Sequence, residues 1–131
     1  MFVNILFTNN WLLEHTEKPL KEKGITGQQF NILRILRGQF PNPASVNLLK
    51  ERMLDKMSDV SRLVERLRKK GLVSRKECES DRRLTDVLIT TKGLSLLKYF
   101  DERNEEEEKL LNRLSGKEAA ILNDLLDKLR G

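Results

Sequence analysis

Residues able to do covalent or metal chemistry are sparse in this 131-residue chain, which holds one histidine, His15, and one cysteine, Cys78. No imidazole stands beside a candidate nucleophile, no Gly-rich loop is spaced to cradle phosphate, and no pair of carboxylates sits in a recognisable enzyme context. No catalytic set can be assembled, so an enzyme is not expected and no cofactor is called for. A metal centre would have to draw almost all its ligands from carboxylates, and none is expected. What the sequence does concentrate is cations. The formal charge is +5, and between Ser45 and Gly93 there are 13 Lys and Arg against 8 Asp and Glu, while the rest of the chain balances at 12 against 12. The whole excess lies in the middle, in runs such as Arg66-Leu67-Arg68-Lys69-Lys70 and Asp81-Arg82-Arg83. Arginine and lysine on a surface are more often solvated charge than a binding site. Their meaning depends on the elements that carry them.

Those elements are legible from periodicity and punctuation. Phe2 to about Lys23 places apolar residues at Ile5, Leu6, Leu12, Leu13 and Leu20, which reads as a first helix closed by Gly24. Thr26-Gly27-Gln28-Gln29 has the capping-box spacing and opens a second helix through Phe30, Ile32, Leu33, Ile35 and Leu36, ending near Gly38 before Pro41-Asn42-Pro43. Ser45 caps a short third helix with Val46, Leu49 and Met53 on one face. Ser58 to Lys70 forms a fourth, with Val60, Leu63, Val64 and Leu67 at core spacing and Asp59 near its start, where a carboxylate favours the helix dipole. Leu72 to Lys76 and Thr85 to Thr90 favour strands and flank an entirely polar tip, Glu77 to Arg83, as a hairpin does. Beyond Thr91 a long helix is predicted to run to Leu114, with the acidic run Glu105 to Glu108 as its solvated side. A second capping box, Ser115-Gly116-Lys117-Glu118, opens the last helix, whose Leu122, Leu125, Leu126 and Leu129 share a side. The predicted order is ααααββαα, a mainly α fold with a small β part.

The composition fits one domain over residues 1–131 built on Leu, Ile and Val. The apolar start, Met1 to Phe7, lacks a basic leader and a cleavage site, and no stretch approaches the about 20 apolar residues of a membrane span. With a lone cysteine as well, a cytoplasmic protein without a membrane partner is expected.

Two short helices on a tight connection, the second ending at Gly71 and followed at once by a charged hairpin, match a helix-turn-helix with an appended wing. Such a helix fits the major groove, and a basic wing reaches the minor groove or phosphates. Gly24-Ile25-Thr26, Gln28 through Leu33, Val60 through Leu67, Lys70-Gly71-Leu72-Val73, Asp81-Arg82-Arg83 and Leu88 through Gly93 occur in the order and spacing that resemble the MarR family of bacterial regulators, over about residues 2–130. The resemblance implies a winged helix-turn-helix lobe at about 26–93 and dimerisation helices at about 1–23 and 94–131. It implies a homodimer on a double-stranded, pseudo-palindromic DNA operator, usually as a repressor, with a small aromatic or anionic ligand that releases the operator. Position by position, it places Ser58, Ser61, Arg62 and Arg66 as DNA contacts from the recognition helix. Arg62 is the leading base reader, because its planar fork pairs with guanine O6 and N7. In the wing it makes Asp81 a bracing residue and Arg82 and Arg83 DNA-binding, with Arg83 entering the minor groove. Cys78 falls in the wing rather than the first helix, which argues against a redox sensor. Trp11, His15, Phe30 and Phe40 read as core or interface residues ahead of pocket-lining ones. Asp59 and Glu65 count against a DNA-facing surface, since carboxylates repel phosphate. The alternative is a winged-helix protein-interaction module without specific DNA binding, which calls for an acidic or apolar recognition face rather than this basic one.

Overall fold

The computed structural model describes the backbone of residues 1–78 and 81–131, and the side chains of that set outside 77–84. Residues Met1–Asp101 form one compact unit and Glu102–Gly131 a second.

In the first unit α1 (Phe2–Glu22) is followed by α2 (Gly27–Gln39), β1 (Ala44–Ser45), α3 (Val46–Arg52), α4 (Val60–Lys69), β2 (Val73–Cys78), β3 (Asp81–Ile89) and α5 (Thr91–Glu102). The start signals work as the sequence suggested. Thr26 accepts a bond from the Gln29 amide at 3.2 Å while the Gln29 side chain accepts one from the Thr26 amide at 3.1 Å, and Ser45 accepts from the Leu48 amide at 3.1 Å. Helix α4 begins two residues later than Ser58, because Asp59 is its cap and accepts from the Arg62 amide at 3.2 Å. The stops match too. Gly71 takes a left-handed φ of 74°, open to glycine at little cost, and lets its amide reach the Arg68 carbonyl while the Leu72 amide reaches that of Leu67. Gly24 ends α1 by the same device.

The sheet is antiparallel in the order β1-β3-β2, with Ala44 opposite Val87 and Val73 opposite Ile89. Strand β1 was not predicted, since a two-residue strand between Pro43 and a helix is too short to show alternation. The hairpin strands also extend into the polar tip, with an irregularity between Glu77 and Cys78. The core gathers Ile32, Leu33 and Leu36 of α2, Leu49, Met53, the α4 stripe Val60, Leu63, Val64 and Leu67, and Val87, Ile89 and Leu97. Each fully buried side chain of this size contributes about 2 kcal/mol. Gly93 sits buried where α5 leaves the sheet: a Cβ there would lie 2.4 Å from the Leu72 carbonyl oxygen and 2.7 Å from Ile89 Cγ1.

The second unit holds α6 (Glu105–Leu111) and α7 (Gly116–Arg130). The single long helix expected from Thr91 to Leu114 is therefore corrected to two, divided at Arg103-Asn104. The acidic run explains why: Glu105 to Glu108 occupy the first turn of α6, where the exposed amides and the positive end of the dipole favour carboxylates. Ser115 and Glu118 form the expected capping box on α7, each holding the other's amide, and these bonds lower the Glu118 carboxyl below its ordinary value. No residue of α6 or α7 is buried in the chain. Ile121, Leu122, Leu125 and Leu129 of α7 are exposed, as are Phe2, Val3 and Phe7 at the start of α1. No described helix is long and apolar enough to cross a membrane.

Candidate nucleic-acid interface

Helix α4 buries Val60, Leu63, Val64 and Leu67 and leaves Ser61, Arg62, Arg66 and Lys69 exposed. Its apolar stripe fixes the rotation of the helix, and so decides which charges meet solvent. Among the described residues, the side chains of Arg62 and Arg66 form no ion pair. The two carboxylates that count against a DNA-facing surface are both engaged. Asp59 caps the helix, and Glu65 is gripped from two sides: Arg68 donates to it at 2.7 and 3.0 Å, and Arg75 of β2 donates at 3.1 Å. The paired bonds from Arg68, with its charge and those of Arg75, outweigh the partial loss of solvent and hold the Glu65 carboxyl at about 2. Glu65 thus stays ionised, is shared between two guanidinium groups whose combined charge it half offsets, and ties the recognition helix to the wing.

Both ends of α4 are anchored, the start by α2 and the far end by the α1–α2 junction and α5. At the start, Gln28 Nε2 donates to Asp55 Oδ2 at 2.8 Å, Asp55 Oδ1 accepts from the Met57 amide at 2.9 Å, and Asn31 Oδ1 accepts from the Leu54 amide at 2.9 Å. The Met57 and Gln28 bonds lower the Asp55 carboxyl. At the far end Lys70 Nζ donates to the Gly24 carbonyl and reaches Gln29 Oε1 at 3.4 Å, while Lys92 Nζ donates to the Lys70 carbonyl at 2.8 Å. Gln29 is 2% exposed. Thr90 closes the same corner, its hydroxyl donating to the Gly71 carbonyl at 2.7 Å and accepting from the Gly93 amide at 3.1 Å.

The basic run Arg66 to Lys70 therefore divides by role. Leu67 is core, Arg68 pairs with Glu65, Lys70 ties α4 to the α1–α2 junction, and Arg66 and Lys69 remain for an outside partner. Ser61 and Arg62 lie on the same exposed surface. Ser58 differs: its hydroxyl is enclosed and has no well-formed hydrogen bond, though it lies close enough to the Asp55 carboxylate to help keep it ionised. The backbone of Asp81, Arg82 and Arg83 opens β3 opposite Cys78. The side chains of Cys78, Asp81, Arg82 and Arg83 lie outside those described, so the wing roles expected of them stay expectations.

A cleft of about 480 Å³ lies where the α1–α2 junction meets the end of α4, lined by Lys21, Ile25, Gln29, Arg66, Lys69 and Lys70. Trp11, His15, Phe30 and Phe40 do not line it. Trp11 meets His15 at a tilt, with ring centres 4.8 Å apart, and the His15 Nδ1 donates to the Trp11 carbonyl at 2.7 Å, Phe30 meets the edge of Phe100 at 5.3 Å between ring centres, and Phe40 is exposed. Among the described residues no group of three or more metal-ligating side chains is gathered.

Sequence reasoning missed Gln28, Asn31, Asp55 and the Glu65–Arg75 bridge. One signal was there: Gln28 and Asn31 share a helix face at i, i+3, beside the buried stripe of α2.

Comparison with known proteins agrees with this geometry. Residues 23–84 match the family model described as MarR family. The chain is 26% identical over 117 residues to the HTH-type transcriptional regulator MhqR of Bacillus subtilis (strain 168), covering 88% of this chain and 79% of that protein. Its fold matches that of MepR from S. aureus in a MepR–DNA complex, with a TM-score of 0.84 at 22% identity, over 98% of this chain and 96% of MepR. It also matches BpsR of Bordetella bronchiseptica, a protein whose DNA binding is regulated by 6-hydroxynicotinic acid, with a TM-score of 0.81 at 21% identity over 100% of both chains. With the capped recognition helix, the hairpin wing and the comparisons in agreement, the chain has the winged helix-turn-helix fold of the MarR-like transcription regulators, and its residues 23–84 match the MarR family model.

Proposed function

We propose that this chain is a homodimeric, sequence-specific DNA-binding repressor acting in the cytoplasm on a pseudo-palindromic operator, from which a small aromatic or anionic ligand releases it. The observation that carries the reading is the division of charge on α4: its carboxylates are occupied by a cap and by two arginines, while Arg62 and Arg66 remain exposed and unpaired among the described residues. Arg62 reads guanine in the major groove, Arg66 and Lys69 contact phosphate, and Ser61 supplies a hydroxyl contact at the start of the helix, while the enclosed Ser58 hydroxyl faces the turn before it rather than DNA. In the wing, Arg83 enters the minor groove beside Arg82, with Asp81 as brace. Dimerisation is supported by the apolar side chains that α1 and α7 leave exposed in the single chain, too many on two helices to be scattered surface residues. The MepR and BpsR structures support the DNA partner and the ligand by likeness of fold.

Equilibrium binding to a selected duplex across a salt series tests this. Arg62→Ala should cost about 1–3 kcal/mol and relax preference at one base pair per half-site. Arg66→Ala should weaken binding on all sequences and lower the salt slope by about one per protomer. Affinity and slope unchanged in both variants would remove α4 as the reading element.

A further inference from the structure

Met57 at 92% and Leu54 at 87% are the most exposed large apolar side chains among the described residues, and both lie in the turn between α3 and α4. Single exposed apolar residues are commonplace on protein surfaces. These two are held by an ordered backbone. The Leu54 amide is fixed by Asn31 Oδ1 and the Met57 amide by Asp55 Oδ1, whose other oxygen accepts from Gln28, and the Ser58 amide donates to the Asp55 carbonyl at 3.2 Å. The turn thus has a fixed path that presents both side chains to solvent instead of folding them onto the core.

Their position gives them a target. Met57 lies two residues before Asp59, the cap of α4, and it is the N-terminal end of a recognition helix that meets base edges. Exposed Arg52 and Arg62 bracket the turn in sequence and exposed Lys56 lies within it, its ammonium donating to the Glu51 carbonyl, and the intervening carboxylates of Asp55 and Asp59 are engaged by backbone amides. An apolar tip with cations among its near neighbours in the chain complements a groove with phosphate rims and, at A·T pairs, an apolar thymine methyl on its floor. We propose that Met57, flanked by Leu54, is a specificity-determining residue that reads the C5-methyl of a thymine in the operator. The inference rests on the DNA-binding reading and adds to it the class of base recognised beside the arginine contacts.

The test replaces each thymine of the selected duplex in turn by deoxyuridine, which removes only the methyl, and measures binding of the full-length wild type and of Met57→Ala. The protein is unaltered in the first arm, so folding cannot confound it. Wild type should lose about fourfold per half-site at one thymine position, and Met57→Ala should lose a similar amount on the parent duplex and nothing further on the substituted one. Leu54→Ala should give a smaller loss at the same or an adjacent position. Wild-type indifference to every deoxyuridine, or undiminished sensitivity in Met57→Ala, would overturn the inference while leaving DNA binding intact, and would turn attention to a protein partner for this apolar pair. Failure of the wild type to select any duplex would instead defeat the underlying DNA-binding reading, and the inference with it.

Discussion

Gly93→Ala isolates the contact that fixes the wing and α5 against the end of α4. The new Cβ would meet the Leu72 carbonyl oxygen at 2.4 Å, where ordinary contact begins at 3.4 Å, and Ile89 Cγ1 at 2.7 Å. Neither neighbour has room to retreat. The Leu72 carbonyl accepts the Thr90 amide at 3.1 Å, and Ile89 is 2% exposed within the core. Overpacking of this kind costs about 1–3 kcal/mol, and a backbone atom that must move while keeping its hydrogen bond places this case at the upper end, about 3 kcal/mol. For a chain of this length that lowers the melting temperature by about 10 °C, measured by thermal denaturation at fixed protein concentration. Gly38→Ala is the matched control: Gly38 lies exposed within α2 with nothing within 4 Å of the added Cβ, so the better helix former should raise stability by about 0.5–1 kcal/mol. A Gly93→Ala variant melting within about 2 °C of wild type would refute the packing argument, because it would mean that the corner gives way freely.

Further predictions concern the groups that hold α4 and the exposed apolar side of α7. Glu65 has a folded pKa of about 2 against an ordinary 4.5, so its stabilising bridge is complete above pH 4.5 and is lost as pH falls toward 2. A carboxyl titration by NMR should place its midpoint near 2, whereas a midpoint near 4.5 would mean that the bridge to Arg68 and Arg75 does not persist in solution. Asn31→Ala removes the acceptor of the Leu54 amide and should cost about 1 kcal/mol in denaturant melts. Asn31→Asp keeps an oxygen there and should cost less, and equal losses would assign the effect to something other than that bond. Leu125→Glu puts a charge on the exposed apolar side of α7 and should shift sedimentation equilibrium from dimer to monomer while leaving helix content unchanged. An intact dimer would show that α7 is outside the interface.

Signals written in local sequence were the ones that could be read in advance. The capping boxes at Thr26 and Ser115, the left-handed glycines at 24 and 71, and the apolar stripe of α4 each follow from residues within one or two turns of each other, and the structure has them where the sequence put them. Strand β1 was hidden because its pairing with Val87 and Asp86 is long-range and only two residues long. The break between α5 and α6 was missed for a different reason: four glutamates in a row look like a solvated helix face, and only a helix start among them gives their charge a partner in the backbone. In the site, spacing identified α4 but could not sort its charges. Arg68 and Lys70 look like Arg66 and Lys69 in sequence, and differ only through Glu65, Gly24 and Gln29, which are brought to them by folding.

The central claim is that α4 reads a symmetric DNA site from a dimer, and selection from a random duplex pool at moderate salt, with wild type beside Arg62→Ala, tests it most directly. The account predicts enrichment of an inverted repeat whose half-sites lie about one duplex turn apart, roughly 34 Å, and weaker enrichment at a G·C position in Arg62→Ala. Enrichment of no sequence, or of the same site with equal strength in both proteins, would contradict it.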